Sequence, residues 1–168
     1  MKVTLKNVYF SERLSEETNA FTADVYVDGK KVGYAKNDGH GGCTFVQPYS
    51  ETKKVFNECE DYLKTQPQLN IGSDENPFMI DCNMESMVDY LFEKWLKEKE
   101  EKKIQNHCKK GVVFNTPNGY SIISWKNSTI EGMLKNPVMT QRLQKVVTDL
   151  KNEGKQIVNK NLPEEWFN

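Results

Sequence analysis

The run from Ala20 to Phe45 constrains the fold more than any other stretch. Phe21, Ala23, Val25 and Val27 alternate with Thr22, Asp24, Tyr26 and Asp28. A period of two puts an apolar face against a core and a polar face toward water, as in a half-buried antiparallel strand. Asp28-Gly29 then supplies two residues that tolerate positive φ, the chemistry of a tight hairpin. On the return strand, Val32 and Tyr34 are expected to share one face. Gly33 and Ala35 leave the other face thin, so that a helix or a ligand can come close to the backbone.

The hairpin leads into Asn37-Asp38-Gly39-His40-Gly41-Gly42-Cys43. The three glycines free the backbone for positive φ, and Asn37 and Asp38 tolerate it. Successive N–H groups in such a turn can form an anion-binding nest, with His40 or Asp38 adding polar contacts. The opposing reading is a plain glycine-rich connection into a strand at Thr44-Phe45. The loop lacks the Gly-Lys-Ser/Thr ending of a P-loop, and no long helix follows it directly.

Around this hairpin the chain reads as α+β. Val3, Leu5, Val8 and Phe10 suggest a first strand with an irregularity near Asn7, which completes an N-terminal antiparallel meander with one face to cover. Ser50 is the expected N-cap of a covering helix. Val55, Phe56, Cys59, Tyr62 and Leu63 recur at helical spacing below it, so Cys59 reads as core. Residues 67–83 hold Gly72, Asp74, Asn76 and Pro77 and form the candidate mobile loop, with Phe78 to Ile80 as a short strand. A long helix follows from about Asn83 to Asn106, with Met84, Met87, Val88, Leu91, Phe92, Trp95 and Leu96 on its buried face.

Gly111 to Phe114 and Tyr120 to Trp125 flank Thr116-Pro117-Asn118-Gly119, which predicts a second hairpin with a type I turn and a glycine bulge. Asn136-Pro137 starts a last helix with a cap and an N1 proline. Met139, Leu143, Val146, Val147 and Leu150 line it, and Gly154 ends it. Gln156 to Val158 can return as an edge strand, and Trp166-Phe167 as a pinned tail. Strands, two helices, a hairpin and a helix in that order do not make a doubly wound sheet. At 168 residues, one domain over 1–168 is the expectation.

Composition bounds the function. There is no run of about 18 apolar residues and no N-terminal apolar segment, so no membrane partner is expected and the location is read as cytoplasmic. Cys43, Cys59, Cys82 and Cys108 are widely spaced, without a CxxC pair, and read as reduced thiols. Net charge is −1, but residues 51–103 carry thirteen acidic against eight basic side chains, and residues 104–160 nine basic against three acidic. Mutual neutralisation accounts for this; a basic face for nucleic acid or an acidic partner is the alternative.

Catalytic and metal constellations are weak. His40 and Cys43 have an HxxC spacing that Cys82, His107 or Cys108 would have to complete, but structural zinc sites show two tight pairs and His107-Cys108 are adjacent. Cysteine catalysis needs a thiolate beside a base, and only Cys43 near His40 offers one. No catalytic residue, metal or cofactor is assigned, and the balance is against an enzyme.

The segments Val27 to Ala35, Asn37 to Cys43 and Pro117 to Ser121 resemble those of a poorly characterised group of small proteins carried by phages and mobile elements of gut-type bacteria. The resemblance is clearest over the first half of the chain. It implies an accessory, anti-defence or inhibitor-type role, by binding a host protein, nucleic acid or signalling nucleotide, and carries over no site residue. The expectation is therefore a small non-enzymatic binding protein acting on a host protein. The alternative is a nucleotide or nucleic-acid binder, with Asn37, Asp38, Gly39, His40, Gly41 and Gly42 cradling phosphate and Tyr26, Tyr34 or Trp125 stacking on bases. The oligomeric state is left open.

Overall fold

In the computed structural model the alternating segment becomes the middle of a four-stranded antiparallel sheet. Its strands are β1 (Val3–Phe10), β2 (Phe21–Val27), β3 (Lys30–Asn37) and β4 (Phe45–Pro48), in the spatial order of the sequence. The structure describes residues 1–72 and 75–167; Ser73 and the expected loop residue Asp74 lie outside them, as does Asn168. The fold is α+β and divides into two compact units, Met1–Leu96 and Lys97–Asn168.

In the first unit, Asp28 (φ 47°) and Gly29 (φ 84°) turn the β2–β3 hairpin with positive φ at both central residues, as the twist of the flanking strands requires. The irregularity expected near Asn7 is present. Asn7 has φ 49° and the β1–β2 register slips between Lys6 and Tyr9.

One expectation fails here. Val32 and Tyr34 do not share a face, because Val25 pairs with Gly33 and Tyr26 with Lys31, so Val32 is an extra residue in a bulge. Val32 is therefore buried at 0% exposure while Tyr34 is 38% exposed. The thin side of β3 faces the core. Ala35 is fully buried there, and a helix, α1 (Lys53–Lys64), packs against the strand.

Ser50 is not the cap of α1. It sits inside a short 3-10 turn, Ser50–Thr52, and the helix begins after it. The Thr52 hydroxyl instead donates to the Val32 carbonyl at 2.9 Å, which ties the helix entry to the bulge. Of the expected stripe, Phe56, Cys59 and Leu63 are buried and Tyr62 is 38% exposed.

The segment expected to be irregular contains a short ladder, β5 (Leu69–Asn70) with β6 (Met79–Ile80). Helix α2 (Met84–Lys110) then starts from a reciprocal cap: Asn83 Oδ1 accepts from Ser86 N–H and Ser86 Oγ from Asn83 N–H, both at 2.9 Å. Met84, Val88 and Phe92 are buried against the sheet's apolar face, where Phe92 stacks on Phe21 with 3.9 Å between ring centroids.

The second unit holds the C-terminal part of α2, the hairpin β7 (Gly111–Thr116) and β8 (Gly119–Ser124), α3 (Ile130–Leu134) and α4 (Pro137–Asn152). Asn136 caps α4, accepting from the Val138 and Met139 N–H groups, with Pro137 in the first turn. Val112, Ile130, Met133, Leu143, Val147, Leu150 and Leu162 form its core. The expected edge strand is reduced to one bridge, Phe114 to Ile157. Next to it the buried Asn159 takes the Val113 N–H on its Oδ1 (2.6 Å). Its Nδ2 donates to the Cys108 and Gly111 carbonyls at 3.1 and 3.0 Å.

Candidate functional site

The glycine-rich loop is built by the side chain of Asn37, at the end of β3. Its Oδ1 accepts from the Gly39 N–H (2.9 Å) and the Thr18 hydroxyl (3.0 Å), and its Nδ2 donates to the Gly42 carbonyl (3.1 Å) and Thr44 Oγ1 (3.2 Å). The Thr44 hydroxyl, on a buried residue, donates to Asp89 Oδ1 on α2 at 2.5 Å. Burial raises the Asp89 carboxyl above the usual carboxylate range, with the Glu85 and Glu93 charges adding to the effect and the Thr44 hydroxyl opposing it.

The loop's polar groups are thus largely spent on the fold. Gly39 takes φ 89° and points its carbonyl at three consecutive N–H groups, of Glu16, Glu17 and Thr18, at 3.0, 3.0 and 3.3 Å. A nest of amides does exist, at residues 16–18, and its occupant is that carbonyl. The Gly41 N–H donates to Thr18 Oγ1 at 3.3 Å. Two of the amides on which an anion cradle at Asn37–Gly42 would rest, those of Gly39 and Gly41, therefore have partners within the chain. Asp38 pairs with Lys36 at 2.8 Å and His40 Nδ1 meets Glu16 at 3.1 Å, in both cases between exposed side chains.

Tyr26 and Tyr34 come together elsewhere, on the outward face of the sheet. Residues paired across antiparallel strands point to the same side. The pairs Tyr9–Thr22, Lys6–Asp24, Asp24–Tyr34, Tyr26–Lys31 and Lys36–Phe45 therefore define one continuous outer surface. Tyr9 and Phe45 are 68% and 53% exposed. The Tyr34 ring lies between Phe45 and Tyr49, at 6.3 and 6.4 Å between centroids. Lys6 Nζ sits 4.4 Å from the Tyr26 ring centroid and Lys31 Nζ 5.4 Å from that of Tyr49. Lys31 also bridges to Asp24 at 2.9 Å, and that ammonium, helped by Asn7, holds the Asp24 carboxyl below its ordinary range.

Trp125 belongs to the second unit. It is half-buried there and packs against that unit's core. The sequence reading also leaves out Tyr9, Phe45, Tyr49 and the three lysines of the outer face. Their alternation is visible in the sequence, but the bulges at Asn7 and Val32 decide which side each one takes.

Cys43, the cysteine expected beside His40, is exposed. Among the described residues no three His, Cys, Asp or Glu side chains are grouped to hold a metal ion. The His107 ring sits 5.8 Å from that of Tyr120. Cys59, Cys82 and Cys108 are buried, and burial raises each thiol, away from the thiolate a nucleophile needs. An open polar hollow is lined by Glu60, Lys64, Gln68, Asp81 and Asn83. Its acids have partners within the chain: Glu60 accepts from the Met84 N–H at 2.7 Å, and the exposed Asp81 from Gln68 Nε2 at 2.9 Å. No helix among the described residues is long and apolar enough to cross a membrane.

Compared with protein-family models, with curated proteins and with solved structures, the chain matches none.

Proposed function

We propose that this is a non-enzymatic binding protein, an accessory of the phage or mobile-element type, that engages a host macromolecule through the outward face of the β1–β4 sheet. One observation carries the reading. Tyr9, Tyr26, Tyr34, Phe45 and Tyr49 lie together with Lys6, Lys31 and Lys36 on a face that the core does not use. The core lies on the opposite face, and Tyr9, Tyr34 and Phe45 are left exposed on this one, an apolar surface available to a partner. A host protein fits the near-zero net charge of the chain; a nucleotide or nucleic acid fits the rings and lysines. The glycine-rich loop supports the reading as a brace for β3, not as the cradle.

The test is recovery of the tagged protein from host cells, followed by analysis of what stays bound, protein and nucleic acid alike. Three chains are compared: the wild type, the double variant Tyr34→Ser/Phe45→Ser, and Val138→Ser on an exposed position of α4. The wild type and the Val138 variant should retain the same macromolecule, and the double variant should lose it. Equal retention by all three would show that the sheet face is not the working surface.

A further inference from the structure

We infer that the outward face of the β1–β4 sheet is a stacking platform for single-stranded nucleic acid. This rests on the proposed binding role of that face and names the class of its ligand.

Ring geometry is the first reason. Inside the first unit, Phe21 and Phe92 stack flat on each other, with 8° between their planes. On the outer face, Tyr49, Tyr34 and Phe45 run in sequence with their planes 36° and 58° apart. Rings tilted in this way do not consume one another's faces, and exposed faces are what unpaired bases stack on. Tyr26 and Tyr9 share this face on the strands beyond, Tyr26 across from Lys31 and Tyr9 separated from Phe45 by Thr22 and Lys36.

Charge is the second reason. The first unit carries sixteen acidic against ten basic side chains, yet its four long strands hold four lysines and one acid. Lysine is gathered on the sheet, in a unit that is acidic elsewhere. The Lys6 and Lys31 ammonium groups lie over the Tyr26 and Tyr49 rings; a base that stacks on those faces moves the flexible lysine aside, within reach of the phosphates of the same strand. An acidic protein would also meet these cations; a single strand brings a planar base for each exposed ring together with a phosphate for each lysine, in one repeating unit. Lys31 and Lys36 now pair with Asp24 and Asp38 across partly exposed bridges. Such bridges are weak enough for a phosphate to displace the carboxylate. Binding of this kind is tolerant of sequence, sensitive to salt and poor for duplexes, whose bases are not free to stack.

The experiment is fluorescence anisotropy on the full chain with labelled oligothymidine and oligouridine of about twelve nucleotides, against a duplex of similar length. Both single strands should bind, and the duplex at least about tenfold more weakly. Tyr34→Ala and Phe45→Ala should each weaken binding roughly tenfold, and Tyr34→Phe, which keeps the ring, should restore it. Raising salt from about 50 to about 200 mM should weaken binding roughly tenfold or more, with a shallower dependence in Lys6→Ala. Gly42→Ala should bind like the wild type. Single-strand binding that ignores the loss of both rings would overturn the inference. So would no binding to either single strand while the Tyr34/Phe45 double variant still sheds a host protein; the face would then be a protein interface and the proposed binding role would stand. Absence of both effects would remove that role as well.

Discussion

Replacing Gly39 by alanine separates a brace from a ligand cradle, because the two readings expect different things of the loop's glycines. Gly39 has φ 89°, and a Cβ added there would lie 2.2 Å from the Leu14 carbonyl oxygen and 2.9 Å from the Ala20 Cβ. The positive φ alone costs about 1–2 kcal/mol for a residue with a Cβ. The clash is with backbone, so no rotamer relieves it, and the loop must move away from residues 14–18. That movement breaks the bonds from three N–H groups to the Gly39 carbonyl, at about 0.5–1.5 kcal/mol each. Some will re-form with water, so a total of about 3 kcal/mol is expected. At Gly42 an added Cβ meets nothing within 4 Å and φ is not positive. Gly42→Ala should therefore stay within about 0.5 kcal/mol of the wild type. Native-state hydrogen exchange of the β2–β3 amides is the assay. The Gly39 variant should exchange more than about a hundredfold faster there, and the Gly42 variant at the wild-type rate. A Gly39 variant as protected as the wild type would refute the account of the loop as a brace. So would a Gly42 variant as damaged as the Gly39 one.

Asn159→Ala should cost the second unit about 2–5 kcal/mol, because it leaves the buried Val113 N–H and the Gly111 carbonyl without their partner, while the Cys108 carbonyl keeps Asn161. Hydrogen exchange at β7 should report the loss, and unchanged protection there would refute it. Burial raises the folded-state pKa of Asp89 above its unfolded value, so the folded chain holds that proton more tightly. The associated stabilisation is complete below the unfolded carboxylate range and is lost as pH rises through the folded value. Asp89→Asn, which still offers Thr44 an acceptor oxygen, should match the wild type in acid and exceed it in stability toward neutral pH. Urea midpoints across that range would show the gap opening, and a gap independent of pH would count against a raised carboxyl.

Much of the fold was legible in the residues themselves, where one local rule dominates. Asp28-Gly29 announces its turn because few residues tolerate positive φ at both central positions. Asn136-Pro137 announces the start of α4 because the cap and the fixed φ of proline act within one turn. Cys59 reads as core from helical spacing and is fully buried. Ser50 misleads for the same reason that such rules work: its side chain suits a cap, but Thr52 is drawn to the Val32 carbonyl and the helix begins beyond it.

The candidate surface was legible only in part. Tyr26 and Tyr34 are named by their chemistry, but Trp125, which shares that chemistry, packs against the core of the second unit. The glycine loop has the composition of an anion nest, whereas the use of its amides depends on Thr18, some twenty residues earlier in the chain.

The α+β class, both main hairpins, the two long helices and the apolar face of the first sheet are readable from the residues alone. Each of these follows from periodicity and turn chemistry, which act over a few neighbouring residues. Tertiary contacts settled which aromatic rings share a surface, where the lysines gather, and that the Gly39 and Gly41 amides of the glycine loop have partners within the chain. Those outcomes depend on two bulges, each shifting the strand register by a residue, and on hydrogen bonds between distant segments. A one-residue shift turns a side chain from core to solvent, and no pattern within a single strand records what its neighbour will do.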